Sequence, residues 1–556
     1  MRSLTLTSLS FLILVVAFSV PQKLHAQTIP RPGESFSAIT TNGMWTWYAD
    51  PKAVYYEGIH KKTYMGWVTN TGVVQIASYD HETGDTAHFT APNSYGADDH
   101  NHPALFIRPD GRIVAYYTGH DGGTITGIIS TAPEDITSFQ TQFSAVGAGG
   151  FCYPNTQFLS AEGTSGRLYL FFRDTGLEPC FATSDDWGRT FTPIKHMYTN
   201  VPAGYKPYVK YCSNGKNEIH MVIERENRNT GPQPLYFVKY KAGVFYTINN
   251  VQIATMAQLP FADTLLISKK ALLMQPGNFG CSGTAWDIAL DASGNPVVVY
   301  DLFKDTNNHS YWYFRWTGTS WFKRPLVNSG AFMGAEGGFS GGVTLDHENP
   351  NVVYMSRQIL SLKTTFNLLD TSYNNYKTAF ASSAYTVVDA THEIDKWTTK
   401  DNGSTWDSVA ITRNSAGKNC RPCVPRGHKE GMNVSLIWLD GTYTGMGGAN
   451  FLMAVRMYPT NIPVAARQIR SGRPHGMNML VTGNGISFTL AQPQYSSLRI
   501  YGLNGSLIAD LTRLLRNREA GPVFVPFWQA QCASGTYLFV FNNGITRAMQ
   551  RVIVSR

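Results

Sequence analysis

Charged side chains are scarce in this chain: they make up 15% of its 556 residues, and 46 basic groups outnumber 38 acidic ones by only eight. So mild and dispersed an excess excludes a nucleic-acid binder, yet its field still favours an anionic ligand. Long apolar runs are missing too. Past residue 26 no stretch reaches the ~18 consecutive apolar residues of a membrane span, so no transmembrane segment is expected in the mature protein. Cysteine is sparse and odd in number: Cys152, Cys180, Cys212, Cys281, Cys420, Cys423 and Cys532. In an oxidising compartment at least one of them has no disulfide partner. With 43% apolar residues, a disordered or collagen-like polymer is excluded as well.

Aromatic residues are abundant, with 30 Phe, 29 Tyr and 12 Trp set among 51 Gly, a mixture that suits many short strands joined by tight turns. Alternating runs such as Arg112–Tyr117, Leu168–Phe172 and Pro296–Tyr300 each follow a turn: Pro109-Asp110-Gly111, Gly163-Thr164-Ser165-Gly166 and Asp291-Ala292-Ser293-Gly294. These predict antiparallel hairpins. Further turns at Asn214-Gly215 and Asp346–Asn349 extend the series at intervals of roughly 50 to 80 residues, the range of propeller blades with variable loops. Residues 1–26 carry Arg2, an apolar stretch from Phe11 to Phe18, and Leu24-His25-Ala26, the form of a secretory signal. The propeller is expected over residues 27–470.

Two segments, Ser184–Phe191 and Thr399–Trp406, fit the Asp-box pattern Ser/Thr-x-Asp-x-Gly-x-Thr-aromatic. There the carboxylate ties down backbone N–H groups and Gly takes a conformation other residues avoid, so Asp186 and Asp401 are expected to be structural. Cys420-Arg-Pro-Cys423 has the spacing of a metal knuckle, with His428 and Cys281 as candidate further ligands. A metal site needs a second cluster, and a buried or disulfide-bonded structural role is the stronger expectation.

The chemistry-bearing residues gather before and after one hairpin. Asp98-Asp99-His100-Asn101-His102 precedes a strand, and His120 closes the hairpin that turns at Pro109-Asp110-Gly111, so His100 and His120 should return to the same end of one blade. Asp98 and Asp99 can alternatively bind a metal or brace the loop. Tyr153 and Arg173 flank the next hairpin, and Tyr208 follows. This set suits β-elimination on a uronic-acid polymer. Arginine neutralises the carboxylate with a two-pronged grip and steadies the enolate-like charge, while histidine and tyrosine move protons. Paired carboxylates, which a typical glycoside hydrolase needs, are not required. The step needs no cofactor, although a structural metal ion is compatible with it. A glycan-binding protein stacking Trp45, Trp47 and Tyr153 on sugar rings is an alternative, as is a hydrolase acting on a rhamnose–glucuronate linkage. No trio of arginines with an acidic partner emerges by spacing, which disfavours a sialidase.

The stretches Trp45–Ala53, Thr63–Val68, Ser78–His81, Asp98–Pro103, Arg108–Arg112, Tyr153–Asn155, Pro207–Tyr211, Trp397–Gly403 and Arg421–Gly427 resemble secreted propellers with bacterial-neuraminidase repeats, whose characterised members include ulvan lyases. The resemblance implies an all-β, seven-bladed propeller acting on an anionic, sulfated polysaccharide. It implies His100, His120 and Tyr153 as catalytic groups and Arg173, with Tyr208 and Asn101, as substrate contacts. Lys52 and Lys206 stand where many relatives carry Arg, and Glu224-Arg225-Glu226-Asn227 replaces a stretch that differs in relatives, which puts the subsites in question. Beyond a boundary near 470–484, Leu498–Tyr501, Asn504-Gly505, Ser534–Phe539 and Arg551–Val554 resemble the C-terminal sorting domain of type IX secretion. That implies a small β-sandwich over residues 480–556, engagement of the type IX machinery, and a protein secreted or attached to the cell surface.

Overall fold

The strand Ile113–Thr118 shows how the chain builds its layers. All six of its residues are buried, and alternate ones point to opposite neighbours. Ile113, Ala115 and Tyr117 pack with Tyr64, Val74 and Ile76 of the preceding sheet, whereas Val114 and Tyr116 pack with Leu168, Leu170 and Phe172 of the following one. Each sheet is thus apolar on both faces and stable only between two others, every large side chain so buried contributing about 1.5–3 kcal/mol.

In this computed structural model the described residues are 36–554, apart from 175, 200–206, 226–230, 304, 306, 308, 334–341, 363–384, 414, 460–479, 483–484, 491–496, 503–506, 513–514, 516–520, 527–534 and 543–546. The secretory signal at 1–26, Lys206, Cys532, Asn504-Gly505 and most of the boundary near 470–484 therefore lie outside them.

The early strand β1 is Ser37–Thr40. The first meander runs β2 (Ala53–Glu57), β3 (Lys61–Val68), β4 (Val73–Asp80) and β5 (Thr86–Ser94). The second runs β6 (Ala104–Ile107), β7 (Ile113–Thr118), β8 (Gly122–Ser130) and β9 (Phe139–Leu159). The long β9 serves two sheets, its first part pairing with β8 and its last with β10 (Arg167–Arg173), which continues to β11 (Pro179–Ser184). Further antiparallel sheets begin at Tyr208–Ser213, Ser282–Leu290 and Val343–Leu345. In the last sheet of the ring, Lys418–Cys423, Leu436–Tyr443 and Phe451–Tyr458 are joined by β1, so a strand from the start of the described chain completes a sheet some four hundred residues later. The fold is an all-β propeller, and β1 joins the last sheet so that the two ends of the ring meet in one blade.

The turns read from the sequence join the strands predicted for them. Gly163–Gly166 links β9 to β10, Asn214-Gly215 and Asp291–Gly294 lie within hairpins, and both Asp boxes follow a strand. Asp186 accepts from the backbone N–H groups of Arg189 and Thr190, and Asp401 from that of Thr405, so both carboxylates hold turns together. Two smaller antiparallel sheets follow the ring: one of Leu480–Thr482, Gly485–Leu490 and Gly521–Pro526, the other of Leu507–Asp510, Ser497–Gly502, Gly535–Asn542 and Arg547–Val554.

Candidate active site

The Asp98–Asn101 loop is pinned before β6 begins. Asp98 caps a single 3₁₀ turn, its Oδ1 accepting from the His100 backbone N–H at 2.9 Å, and the Asp99 N–H reaches across to the Met446 carbonyl. β6 and β7 then pair as a hairpin, which brings His120 back to the His100 end. The two imidazoles stack, ring centroids 3.7 Å apart and planes 11° from parallel. Asp98 serves both: Oδ1 accepts from His100 Nδ1 at 2.6 Å and Oδ2 from His120 Nδ1 at 3.2 Å. With both Nδ1 atoms donating, the His120 Nε2 edge is left for another partner.

Behind His100 lies Asp99, fully buried, with one oxygen 2.8 Å from His100 Nδ1. Its other oxygen accepts from Arg421 Nη1 at 2.7 Å and from the Tyr443 hydroxyl at 3.2 Å. Burial opposes the charge on His100, but Asp99 and the bonds to Asp98 and Asp99 outweigh it and raise its pKa well above the usual value. Burial likewise opposes ionisation of Asp99, while Arg421 and His100 bring it down to about 2. His100 is therefore a held cation at neutral pH.

Tyr153 sits in β9 with φ +58°, a conformation a bulky residue rarely adopts, where the β9–β10 register slips between Phe171 and Arg173. Its ring lies 5.4 Å from that of His100, and the Arg173 guanidinium stacks 5.0 Å over it. Arg173, 4% exposed, is also paired with Asp121, the residue after His120. Burial, with Tyr208 and Cys152 nearby, raises the Tyr153 pKa well above that of a free phenol despite Arg173, so the group is protonated at neutral pH. Tyr48, Tyr153, Phe172, Arg173, Pro207 and Tyr208 line a small depression.

His100, His120, Tyr153, Arg173 and Tyr208 are thus brought together. Asn101 is not placed as a sugar contact: it is 1% exposed, and its amide donates to the Tyr95 and Gly96 carbonyls, so it braces the loop. Stacking of sugars on Trp45 and Trp47 is likewise overturned. Both rings are buried, Trp45 Nε1 donates to the Arg421 carbonyl, and Arg421 covers Trp47 at 4.3 Å. Cys420 and Cys423 are free thiols, and His428 contacts Asp346 instead. Among the described residues the side chains able to gather round a metal ion are Asp98, His100 and His120, whose ligand atoms lie within 4.8 Å of one another.

Some contributors were not singled out from the sequence. Tyr48 packs 4.8 Å from Tyr208 and 5.4 Å from Tyr153, and donates to Glu224 at 3.2 Å. Glu224 thereby braces the cleft's aromatic wall. Lys52 and Lys210 both bond Asp50 and the Trp47 carbonyl, clamping the segment that carries Tyr48. Asp121 was legible only as the neighbour of His120.

Residues 62–329 match the model of a BNR repeat-containing family member. No curated protein matches the chain in sequence. Among solved structures the chain is similar to a polysaccharide lyase of the PL25 family, an ulvan lyase, bound to -[GlcA(1-4)Rha3S]-. The TM-score is 0.52 at 15% identity, covering 78% of this chain and 96% of that one. A second structure titled as a PL25 ulvan lyase gives the same values. The polysaccharide lyase Uly1 aligns over 78% of this chain and 99% of its own, with a TM-score of 0.47 and 11% identity. At such identities the likeness is one of fold.

Proposed function

We propose that the protein is a secreted polysaccharide lyase that cleaves a uronate-containing, sulfated polymer of the ulvan type by β-elimination, on a seven-bladed propeller. The observation that carries this reading is the run of ring contacts His120–His100–Tyr153–Arg173, which ends at the depression lined by Tyr153 and Arg173. Arg173 and the His100 cation meet the uronate carboxylate and the negative charge that spreads into it. His120 takes the proton from carbon 5 through Nε2. The electron pair of that C–H bond becomes the C4–C5 double bond as the C4–O bond breaks, and the leaving oxygen takes the phenolic proton of Tyr153. Solvent then returns the proton to Tyr153, and His120 releases its own. No cofactor enters this sequence.

Export would use the N-terminal signal and the type IX machinery through residues 480–556. A purely sugar-binding role is less well supported, because Trp45 and Trp47, two of the rings it needs, are packed against Arg421. Screening uronate polymers for near-ultraviolet absorbance with product sizing is the test. Unsaturated products are expected; saturated fragments would point to hydrolysis, and binding without cleavage to a lectin-like role.

A further inference from the structure

A second group of cations occupies the rim opposite the histidines. β6 leads from the His100 end to Arg108 and β7 returns from Arg112 to His120, so the Arg108–Arg112 turn lies a strand's length away, on the order of 15–20 Å at about 3.3 Å per residue. In the next blade, Arg173 pairs with Pro179 at the cleft end of β10–β11, and Leu168 pairs with Ser184 at the far end, where the first Asp box starts. The two turns meet round an open depression of about 600 Å³ lined by Arg108, Arg112, Thr131, Gln140, Gln142 and Arg189.

The charge there is poorly balanced. Asp110 accepts from both Arg108 and Arg112 at 2.9 Å. Asp186 is taken up by Ser184, Thr190 and the Arg189 backbone, and Asp185 by Arg167 at 2.7 Å. Three guanidiniums against the carboxylates of Asp110 and of Asp186, whose own donors are all neutral, leave one positive charge over. Arg108 is 2% exposed, lies 5.0 Å over the Trp187 ring, and its buried Nε has no hydrogen-bond partner among the described residues. Burial, with Arg189 and Arg112 nearby, lowers the Arg108 pKa despite Asp110, so the three cations repel one another across the depression. An anion seated there would relieve that repulsion, and Gln140 and Gln142 add amide groups at the wall.

We propose that this depression is a second, non-catalytic anion site that holds a sulfate ester or carboxylate of an acidic polysaccharide, keeping the polymer on the protein between encounters with the cleft. The inference takes the acidic polymer from the proposed function but not the reaction. The test is retardation in gels containing ulvan, comparing wild type with Arg112→Ser/Arg189→Ser and with Arg189→Glu alone, an exposed position where folding is not at stake. The double variant is expected to bind about tenfold more weakly at an unchanged Tm. Titration with inorganic sulfate should perturb an emission component that Trp187→Phe removes. Repeating the gels with desulfated and with carboxyl-reduced ulvan identifies the group held, as the treatment that erases the difference between wild type and variant. Equal retardation of all three proteins on native ulvan would overturn the proposal. Since binding is read directly, failure of the lyase reading leaves this result intact, and a loss of retardation in an inactive protein would still support the site.

Discussion

His100 and His120 lie ring on ring at 3.7 Å while sharing one carboxylate, Asp98. Two stacked cations at that distance would repel, and Asp99 adds its charge to His100 alone. The pair is thereby made unequal: Asp99 lies against His100 alone, and His120 is the more exposed of the two.

Removing either proton carrier, or the fixed cation His100, should stop turnover without unfolding the ring. Tyr153→Phe, His100→Ala and His120→Ala are each expected to lower the rate of unsaturated-uronate formation by about 10²–10⁴-fold, the usual contribution of a positioned acid or base. Circular dichroism and Tm serve as fold controls. A Tyr153→Phe protein with full activity would remove Tyr153 from the reaction.

Arg173→Lys keeps the charge but loses the planar fork and its stacking on Tyr153. We expect kcat/KM to fall by about 10–10²-fold, more through kcat than KM because the carboxylate charge grows in the transition state. Steady-state kinetics on a defined oligosaccharide decide it. An effect confined to KM would mean that Arg173 only binds.

The Asp98–Asp99–His100 cluster should shape stability at both ends of the pH scale. The two carboxylates have lowered pKa values, so their contribution is present above about 3.8 and is lost as pH falls, for Asp99 towards about 2. His100 has a raised pKa, so its contribution is full below 6.5 and is lost as pH rises through the folded-state value. The cluster therefore stabilises most between about pH 3.8 and 6.5. Tm measured against pH for wild type and Asp99→Asn should differ most in that window, and parallel curves would contradict the assignment.

The Asp box at Thr399–Trp406 should matter for folding and not for turnover. Gly403 has φ +102°, and a methyl group there would meet the Tyr313 ring at 2.9 Å. Gly403→Ala and Asp401→Asn are both expected to lower Tm while leaving kcat unchanged. A selective loss of kcat would give this turn a part in the site.

What the sequence determined by itself was local. A two-residue strand period and the Pro109-Asp110-Gly111 turn are enough to return His120 to His100, and the same arithmetic places the Asp boxes at strand ends. Tyr153 and Arg173 were legible because they flank the next hairpin, one sheet away. Tertiary structure alone decided which distant groups complete the set. Arg421 reaches Asp99 across 322 positions, Tyr48 reaches Glu224 across 176, and Trp45 and Trp47 are buried against Arg421 instead of facing a sugar. Those meetings depend on how the sheets close into a ring and which edges then face its centre. No local period encodes that, because closure is fixed by the packing of every sheet against its neighbours at once.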